Sequence, residues 1–593
     1  MIEQPIPGSP LAVCVMPPPA PNAARTAAYP QAIHEILGHA GVCYDTMAVD
    51  DLPSALPRYR VLLTVGDADL KEEARAALRR WVLAGGAWLA VAGTCGLADL
   101  LDVEVEAPAY SVWGGGGGTL GEGYLTVDHR LHPVLAHLEI PLHFFNGLPV
   151  RPHDRPLAGV SDAHQRHTRR AALVETGPGQ GHCLLVAPDI TGAVVRIRQG
   201  VGATRDGVSS PDGTAAICDD VLKSDDGAAL DWHFDRLPLR GVPGLNVFSQ
   251  PVADQWAELL LRALFYLASG AGVSLPVLWL YPRNVSALAH LSHDSDLNEP
   301  GKARRMLDAL RSLDLASTWC IVLPGYPPDL MTAIRAAGHE LATHFDAMTE
   351  GCPFTEAEFD RQHSELVGSF QGDAPVTNKN HYLRWEGDTE FFEWLIARGI
   401  RLDESKGASK TGEAGFNFGT CHPYRPIAPD GSTLDILELP TLSQDLMVFA
   451  PRELLSPLLE AAERHHGILH LLFHPAHIDK PGVEDALRGA VGAARMKGFE
   501  WWTARRIEAW ERARRAVVWS GYSQRPGGAS VMVTTPGRLE GATLMWLAPS
   551  AARVSVDGAT AEDGAVVRWG FRFQTAVLDM ESEHRLAIGR VAP

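Results

Sequence analysis

Two acidic side chains follow an apolar run in the middle of the chain. Residues 288–298 read LAHLSHDSDLN, which places Asp294 and Asp296 two residues apart at the end of that run. Carboxylate oxygen and imidazole nitrogen are ligands that zinc and similar divalent ions take in proteins. A carboxylate that stays free of the metal can accept the proton of an attacking water molecule. The segment is therefore either a loop with local Asp and Ser turns or part of a hydrolytic metal site.

Several histidines further along the chain also follow strand-like runs. They occur in LATHFDAM (341–348), NKNHYLRW (378–385), FGTCHPYRP (418–426) and LLFHP (471–475). Amphipathic helices separate these runs, and strands that alternate with helices indicate a parallel sheet. In a β/α barrel the C-terminal ends of the strands face one mouth. The residues expected to meet there are Asp294, Asp296, His344, His381, Arg384, His422 and His474.

The order of these motifs resembles the polysaccharide deacetylase (NodB-homology) family of carbohydrate esterases. HDSD (293–296) is similar to that family's His-Asp-Val-Asp, LASTWCIV (315–322) to its second strand, GHELATH (338–344) to its GHEIGNH, and LLFHP to its late strand. The resemblance covers roughly residues 275–510. It implies that Asp294 is the catalytic base, that Asp296 and His344 bind the metal, and that His474 is the catalytic acid.

The third metal ligand departs from the family pattern. A second histidine four residues after the first is usual there, but position 348 is Met. NKNHYLRW resembles an R-x-H-Y-L element of divergent members, which implies that His381 is the third ligand, with Asp346 and His422 as alternatives. The arginine that orients the base in the family has no clean match, and Lys379 or Arg384 is expected to replace it.

The resemblance implies a metal-dependent hydrolase that removes N-acetyl groups from amino sugars of an oligosaccharide, polysaccharide or glycoconjugate. Zinc is the first expectation for the metal, with nickel, cobalt or manganese as alternatives. The residues expected to contact the substrate are His422, Lys379, Trp385 and Tyr424. An O-acetyl esterase that uses the same site is one alternative. A carbohydrate-binding or scaffold protein with a decayed site is another.

The N-terminal part alternates strands and helices from residue 11 to residue 93. AVAGTCGL (90–97) resembles the nucleophile region of class I glutamine amidotransferase-like folds, with Cys95 at the nucleophile position. The second glycine of that elbow is misplaced, and no matching histidine partner follows, although a cysteine nucleophile needs a base. We expect a non-catalytic, amidotransferase-like, doubly wound domain over 1–272, which serves oligomerisation or shapes the cleft. A Cys95-dependent amidase is the alternative.

These patterns predict a multidomain α/β plus β architecture. A (β/α) deacetylase barrel is expected over 273–514, with long loops at 196–250 before it. The last part, 515–593, consists of short alternating runs rich in Val, Thr and Trp, which predict a C-terminal β-sandwich.

Composition narrows the functional classes. The chain has 593 residues and a formal net charge of -19, which argues against a nucleic-acid partner. Its eight cysteines form no C-x-x-C pair, as expected of reduced thiols. The first ten residues do not have the pattern of a secretory leader, and the apolar stretch 259–280 is interrupted by Arg262 and Pro276. We expect a cytoplasmic protein without a membrane span, a secreted protein whose leader has been removed being the alternative.

Overall fold

The structure is a computed structural model that describes residues 8–17, 25–106, 119–127, 131–207, 213, 220–370, 372, 374–409, 411–548, 552–560 and 564–590. The chain divides into two compact units. The first unit contains Met1–Val194, Gln255–Asn284 and Arg512–Pro593, and the second contains Val195–Asp254 and Val285–Glu511.

The first unit contains a nine-stranded mixed sheet. Its parallel part comprises, in spatial order, Asp45–Thr46, Leu11–Val15, Val61–Val65, Ala87–Val91 and His182–Val186. The sheet continues with the antiparallel strands His167–Thr176, Ala158–Asp162, Gly123–Val127 and Leu142–Phe144. The antiparallel half differs from the purely parallel alternation that the sequence predicts. The amidotransferase-like assignment therefore stays a prediction.

Three antiparallel sheets complete the strands of the first unit. A four-stranded sheet has the order Pro276–Leu278, Leu539–Leu547, Phe571–Met580 and Gly564–Arg568. A five-stranded sheet has the order Val518–Arg525, Gly528–Thr534, Glu583–Arg590, Ala552–Val556 and Ala559–Thr560. Val103–Val105 pairs with Val150–Pro152. The expected all-β character of the C-terminal part is present, and the sandwich itself stays a prediction.

The helices of the first unit are Ala32–Ala40, Leu52–Ala55 and Glu72–Leu83. Three further helices, Ile190–Gln199, Val252–Gly270 and Ala504–Arg515, contain points where the chain passes from one unit to the other. None of the helices in the described part of the chain has the length and hydrophobicity that a bilayer span needs.

The second unit is built on a curled sheet of parallel strands, which we label in chain order. They are β1 (Leu288–Asp294), β2 (Thr318–Ile321), β3 (Glu340–Phe345), β4 (Thr377–Asn380), β5 (Leu402–Asp403), β6 (Leu437–Glu438), β7 (Ser443–Gln444), β8 (Ile468–Leu472) and β9 (Glu500–Trp501). The spatial order is β6-β5-β4-β3-β2-β1-β8-β7, and β9 also pairs with β1. Within the described residues β6 and β7 do not pair, so the sheet is an open half-barrel rather than the closed barrel of the prediction.

Helices connect these strands in the way that parallel pairing requires. They are α1 (Pro300–Ser312), α2 (Pro328–Ala336), α3 (Glu356–Phe370), α4 (Glu390–Ala397), α5 (Leu455–Arg464) and α6 (Val483–Met496). Both α1 and α2 begin with proline, whose fixed φ suits the first helical turn. The apolar positions of α1, such as Met306 and Leu310, are buried and belong to the same core as Leu291 of β1 and Leu469 of β8.

We expect Leu469→Ala in β8 to lower the free energy of unfolding of the second unit by about 2–5 kcal/mol, because the change removes buried methyl groups and leaves a cavity. Leu469 is 0% exposed, whereas Met496 at the end of α6 is 85% exposed. Met496→Ala is the control and should change that free energy by less than about 0.5 kcal/mol. Equilibrium urea unfolding measures both. Equal effects for the two variants would contradict the core assignment.

Candidate metal and catalytic site

Six polar side chains gather at the C-terminal edge of the half-barrel sheet. Asp294 is the last residue of β1, and His344 is the penultimate residue of β3. The other four follow the strand ends within two residues: Asp296 after β1, His381 after β4, Asp445 after β7 and His474 after β8. Parallel strands direct their C-terminal ends to one edge, which brings together residues that are far apart in the sequence.

Asp296, His344 and His381 form a group whose ligand atoms lie close enough to bind one metal ion. Oδ1 of Asp296 is 3.3 Å from Nε2 of His344 and 3.9 Å from Nε2 of His381. Both Oδ1 of Asp296 and Nε2 of His344 are buried without a hydrogen-bond partner in the described part of the chain. Buried polar atoms are rarely left unpaired. One carboxylate and two imidazoles that face each other in this way fit a divalent ion such as zinc.

Hydrogen bonds orient both imidazoles of the group. Nδ1 of His344 donates to the carbonyl oxygen of Lys379 at 2.9 Å, which directs the Nε2 lone pair toward Asp296. Nδ1 of His381 lies 2.9 Å from Oδ1 of Asp346. Metal-binding histidines commonly use their second nitrogen in this manner. Asp346, an alternative third ligand in the sequence analysis, thus contacts the His381 ring nitrogen that faces away from Asp296.

The surroundings of Asp296 favour its ionised form. Burial raises the pKa of Asp296, but its contact with His344 and the nearby charges of His474 and His381 outweigh burial and lower that pKa well below its usual range. The backbone of Asp296 has a φ of +28°. Such conformations are strained for residues other than glycine and cluster at functional sites.

Asp294 lies beside the same group and next to a buried lysine. One carboxylate oxygen, Oδ1, is 3.8 Å from Nζ of Lys379, and the other, Oδ2, is 3.8 Å from Nε2 of His344. Arg384, the alternative candidate for orienting the base, instead donates to the carbonyl of Ala347 and pairs with Glu386. Lys379 therefore occupies the position beside the carboxylate of Asp294, and Arg384 does not.

Lys379 belongs to a fully buried polar network below Asp294. Its Nζ donates to Oγ of Ser292 at 2.6 Å and lies 3.2 Å from Oε2 of Glu404. Glu404 is also 2.8 Å from Nε2 of His290, and His470 contacts Ser292 at 2.9 Å. Burial lowers the pKa of Lys379, but the charges of Asp294 and Glu404 outweigh it and raise that pKa. The network therefore holds a positive charge beside Asp294.

His474 forms the opposite side of the site. Its Nε2 is 3.4 Å from Oδ2 of Asp296 and 3.9 Å from Oδ2 of Asp294. Its Nδ1 forms a short hydrogen bond with Asp445, which also lies 3.0 Å from Nδ1 of His477. Burial lowers the pKa of His474, but the charge and hydrogen bond of Asp445, together with the charges of Asp296 and Asp294, raise it to about 9.

Sequence reasoning did not assign Asp445 or His477 to the site, and it took His477 as a structural histidine. Asp445 follows β7, a strand of two residues that no periodic pattern marks. The available signals were the dipeptide Gln-Asp before an apolar run and the spacing of His477 three residues after His474. The φ of Asp445, +30°, is the second strained backbone angle among the site residues.

Three predicted substrate contacts lie elsewhere in the second unit. His422 is buried and bonds through Nε2 to the carbonyl of His465 at 2.9 Å. The hydroxyl of Tyr424 donates to the carbonyl of Arg198. Trp385 is 1% exposed, and its ring packs 4.9 Å from that of Phe392. These three side chains are buried and pack against other residues of the chain. The structure therefore does not place them in contact with a substrate bound at Asp296, His344 and His381.

His422 belongs to another of the five candidate metal-binding groups of the described residues, with Asp254 and Cys421. Here the carboxylate of Asp254 is already used, because it pairs with Arg198 at 2.9 Å and accepts from Oγ1 of Thr420 at 2.6 Å. The backbone amide of Cys421 donates to its second oxygen at 2.8 Å. These satisfied hydrogen bonds indicate a structural cluster.

Six of the seven described cysteines are buried. Seven are free thiols, and Cys218 lies outside the described residues. Cys95 is fully buried, and burial together with the charge of Asp67 raises its pKa far above the usual range of a thiol. A reactive cysteine needs the opposite, a lowered pKa and access to solvent.

Comparison with known proteins adds context at low similarity. No family model and no curated protein matches the chain. Among solved structures, a Mycobacterium smegmatis protein named as a candidate polysaccharide deacetylase has 18% identity and a TM-score of 0.32 over 40% of this chain and 93% of its own. A peptidoglycan N-acetylglucosamine deacetylase has 16% identity and a TM-score of 0.26 over 38% of this chain and 90% of its own.

Another similar structure belongs to a different class of protein. A β-galactosidase from Rahnella sp. R3 has 14% identity and a TM-score of 0.22 over 30% of this chain and 28% of its own. At such TM-scores and identities these likenesses establish neither the activity nor the substrate of this chain. What the chain does must be argued from the residues at the edge of the half-barrel.

Proposed function

We propose that the chain is a divalent-metal-dependent deacetylase that hydrolyses N-acetyl groups of amino sugars in a carbohydrate. The observation that carries the proposal is the convergence of two carboxylates and three imidazoles at one edge of the parallel sheet. The order of HDSD, GHELATH and LLFHP, which resembles the polysaccharide deacetylases, supports the carbohydrate substrate.

Asp296, His344 and His381 are the residues proposed to hold the ion. Their buried and unpaired ligand atoms, and the hydrogen bonds that orient both histidines, support this assignment. When bound, a divalent ion at this position supplies Lewis-acid activation of an acyl carbonyl and of the attacking water.

Asp294 is proposed to take a proton from the attacking water molecule. Its carboxylate lies next to the group formed by Asp296, His344 and His381, and it also forms a candidate metal-binding group with Asp296 and His474. We assign it the role of base and not of ligand, as the resemblance to the deacetylases implies. Nζ of Lys379 lies 3.8 Å from one of its oxygens and places a positive charge beside it. A positioned carboxylate of this kind acts as a general base.

His474 is proposed to donate a proton to the departing amine nitrogen. Asp445 fixes its ring through Nδ1 and favours the protonated imidazole, which leaves Nε2 directed at the site. An amine is a poor leaving group unless it is protonated, so amide hydrolysis needs such an acid. An ester releases an alcohol and depends on this proton less. The arrangement therefore favours N-acetyl over O-acetyl hydrolysis.

Metal content and acetate release test the proposal together. We expect about one ion per chain in the purified protein and acetate release from N-acetylglucosamine oligomers. Asp296→Asn and His344→Gln should lose both. His422→Gln is the matched control, because it alters a different buried group, that of Asp254, Cys421 and His422, and should leave both unchanged. The absence of metal after incubation with zinc, nickel, cobalt and manganese would overturn the proposal, as would acetate release that survives the loss of metal.

The support that Asp346 gives to His381 leads to a separate prediction. We expect Asp346→Asn to weaken metal binding by about 10- to 100-fold, since hydrogen-bond partners of metal ligands typically contribute that much. Competition with a coloured chelator measures the affinity. The control is Asp329→Asn, an exposed change on α2 that should leave the affinity unchanged. A change at Gln362 would not serve as a control, because Gln362 forms a hydrogen bond with the backbone of Asp346.

A further inference from the structure

The first unit contains a cavity that the proposed chemistry does not use. It has a volume of about 380 Å³ and lies at the N-terminal edge of the parallel strands, between the segment 52–60 and the end of helix Glu72–Leu83. Ligand pockets in proteins typically measure about 300–1,000 Å³, so the cavity is large enough for a small organic molecule.

Apolar and aromatic residues share the lining of the cavity with polar groups. Leu52, Leu56 and Tyr59 are buried lining residues. The indole of Trp81 forms a wall and is fixed by its Nε1, which donates to the carbonyl of Tyr59 at 3.2 Å. A Cβ atom at Gly86 would lie 2.3 Å from the Trp81 ring, so a glycine is required there for the indole to take this position.

Two arginines, Arg60 and Arg80, also line the cavity and are exposed to solvent. Neither has a carboxylate within ion-pair distance among the described residues, whereas Arg75 and Arg79 on the same helix pair with Glu72 and Asp99. Two guanidinium groups that line one cavity can bind an anion there. Guanidinium groups recognise carboxylate and phosphate oxygens through paired hydrogen bonds.

We propose that this cavity binds a small organic anion, with an apolar ring or chain against Trp81 and a carboxylate or phosphate group between Arg60 and Arg80. The site is separate from the metal-binding group, which belongs to the second unit. Binding at this cavity can therefore be tested independently of the proposed deacetylase activity.

Fluorine NMR with three matched probes tests the proposal on the full-length protein. The probes are 4-(trifluoromethyl)phenylacetate, 4-(trifluoromethyl)phenyl phosphate and the neutral 4-(trifluoromethyl)phenethyl alcohol. We expect at least one anion to bind saturably and at least about tenfold more tightly than the alcohol. The anion that binds more tightly shows whether the cavity prefers a carboxylate or a phosphate group.

Variants locate the binding. Arg60→Gln and Arg80→Gln should each weaken anion binding about tenfold, the effect of losing one charged hydrogen-bond partner. Arg155→Gln is the matched control, since Arg155 is an exposed arginine of the same unit outside the cavity. The proposal is overturned if no anion binds saturably or if the alcohol binds equally well. Anion binding that is unchanged in the Arg60→Gln/Arg80→Gln double variant, as for an anion held by the metal, also overturns it.

Discussion

Asp294→Asn is expected to lower the kcat for deacetylation by about 10²–10⁴-fold, the usual contribution of a general base. Asparagine preserves the shape of the side chain, but its amide cannot accept a proton from water. The proposed ligands are Asp296, His344 and His381, so the metal content of the variant should stay at the level of the unchanged protein. Steady-state kinetics with an N-acetylglucosamine oligomer, with metal analysis of the same sample, measures both quantities.

The Asp294 result needs a control for the general effect of removing one negative charge. Asp329→Asn removes an exposed charge on α2, where the carboxylate pairs with Arg304, and should leave kcat unchanged. A kcat for Asp294→Asn within about threefold of the unchanged protein would contradict its role as the base. Loss of the metal together with the activity would show instead that Asp294 is a ligand.

The buried network places a compensating positive charge beside the carboxylate of Asp294. A carboxylate removed from water is costly unless a partner compensates its charge. Lys379 supplies that charge at 3.8 Å, and Glu404 balances the lysine at 3.2 Å. Burial raises the pKa of Glu404, but the charges of Lys379, His290 and His470 outweigh it and lower that pKa below its usual range. The carboxylate of Asp294 is thus next to a series of buried charged side chains.

Residues at the ends of long buried strands could be placed from the sequence. The strand Leu288–Asp294 is buried along its whole length and ends at Asp294, and the strand that contains His344 is also buried throughout. The rule that parallel strands end at one edge then brings these residues together without any knowledge of their contacts. The distances between Asp294, Asp296 and His344 agree with that expectation.

Residues that depend on short strands or on buried packing could not be placed in this way. Asp445 follows a strand of two residues, which leaves no hydrophobic period to detect. Trp385 was expected to contact sugar, but its ring packs against those of Phe391 and Phe392 in a buried aromatic group. A sequence pattern indicates that an aromatic side chain is present but does not show which neighbours enclose it.

The sequence analysis did not predict the long-range backbone bridges of the segment 196–250. Its glycine- and aspartate-rich composition predicted loops, and its described elements are indeed short, such as Leu237–Pro238 and Asn246–Val247. Bridges nevertheless join Ala203 to Gly387 and Lys223 to Arg384. Arg384 lies three residues after His381, the site residue that follows β4. Such contacts depend on the folded sheet and not on local periodicity.

His474→Gln is expected to lower kcat by about 10²–10⁴-fold on an N-acetyl substrate, because the amine then departs without a positioned acid. On 4-nitrophenyl acetate, whose leaving group needs no proton, the same variant should lose less than about tenfold. The contrast between the two substrates separates a lost acid from a collapsed site, which would impair both equally.

His477→Gln is the matched control for the acid. His477 also contacts Asp445, at 3.0 Å, but ion pairs with Asp294 or Asp296 are found for His474 and not for His477 within the described residues. We therefore expect a change of less than about threefold on either substrate. Equal losses on amide and ester in His474→Gln would contradict its role as acid, because only the amide requires the proton. A His477→Gln variant that is selectively impaired on the amide would transfer that role to His477, whose imidazole shares the same carboxylate.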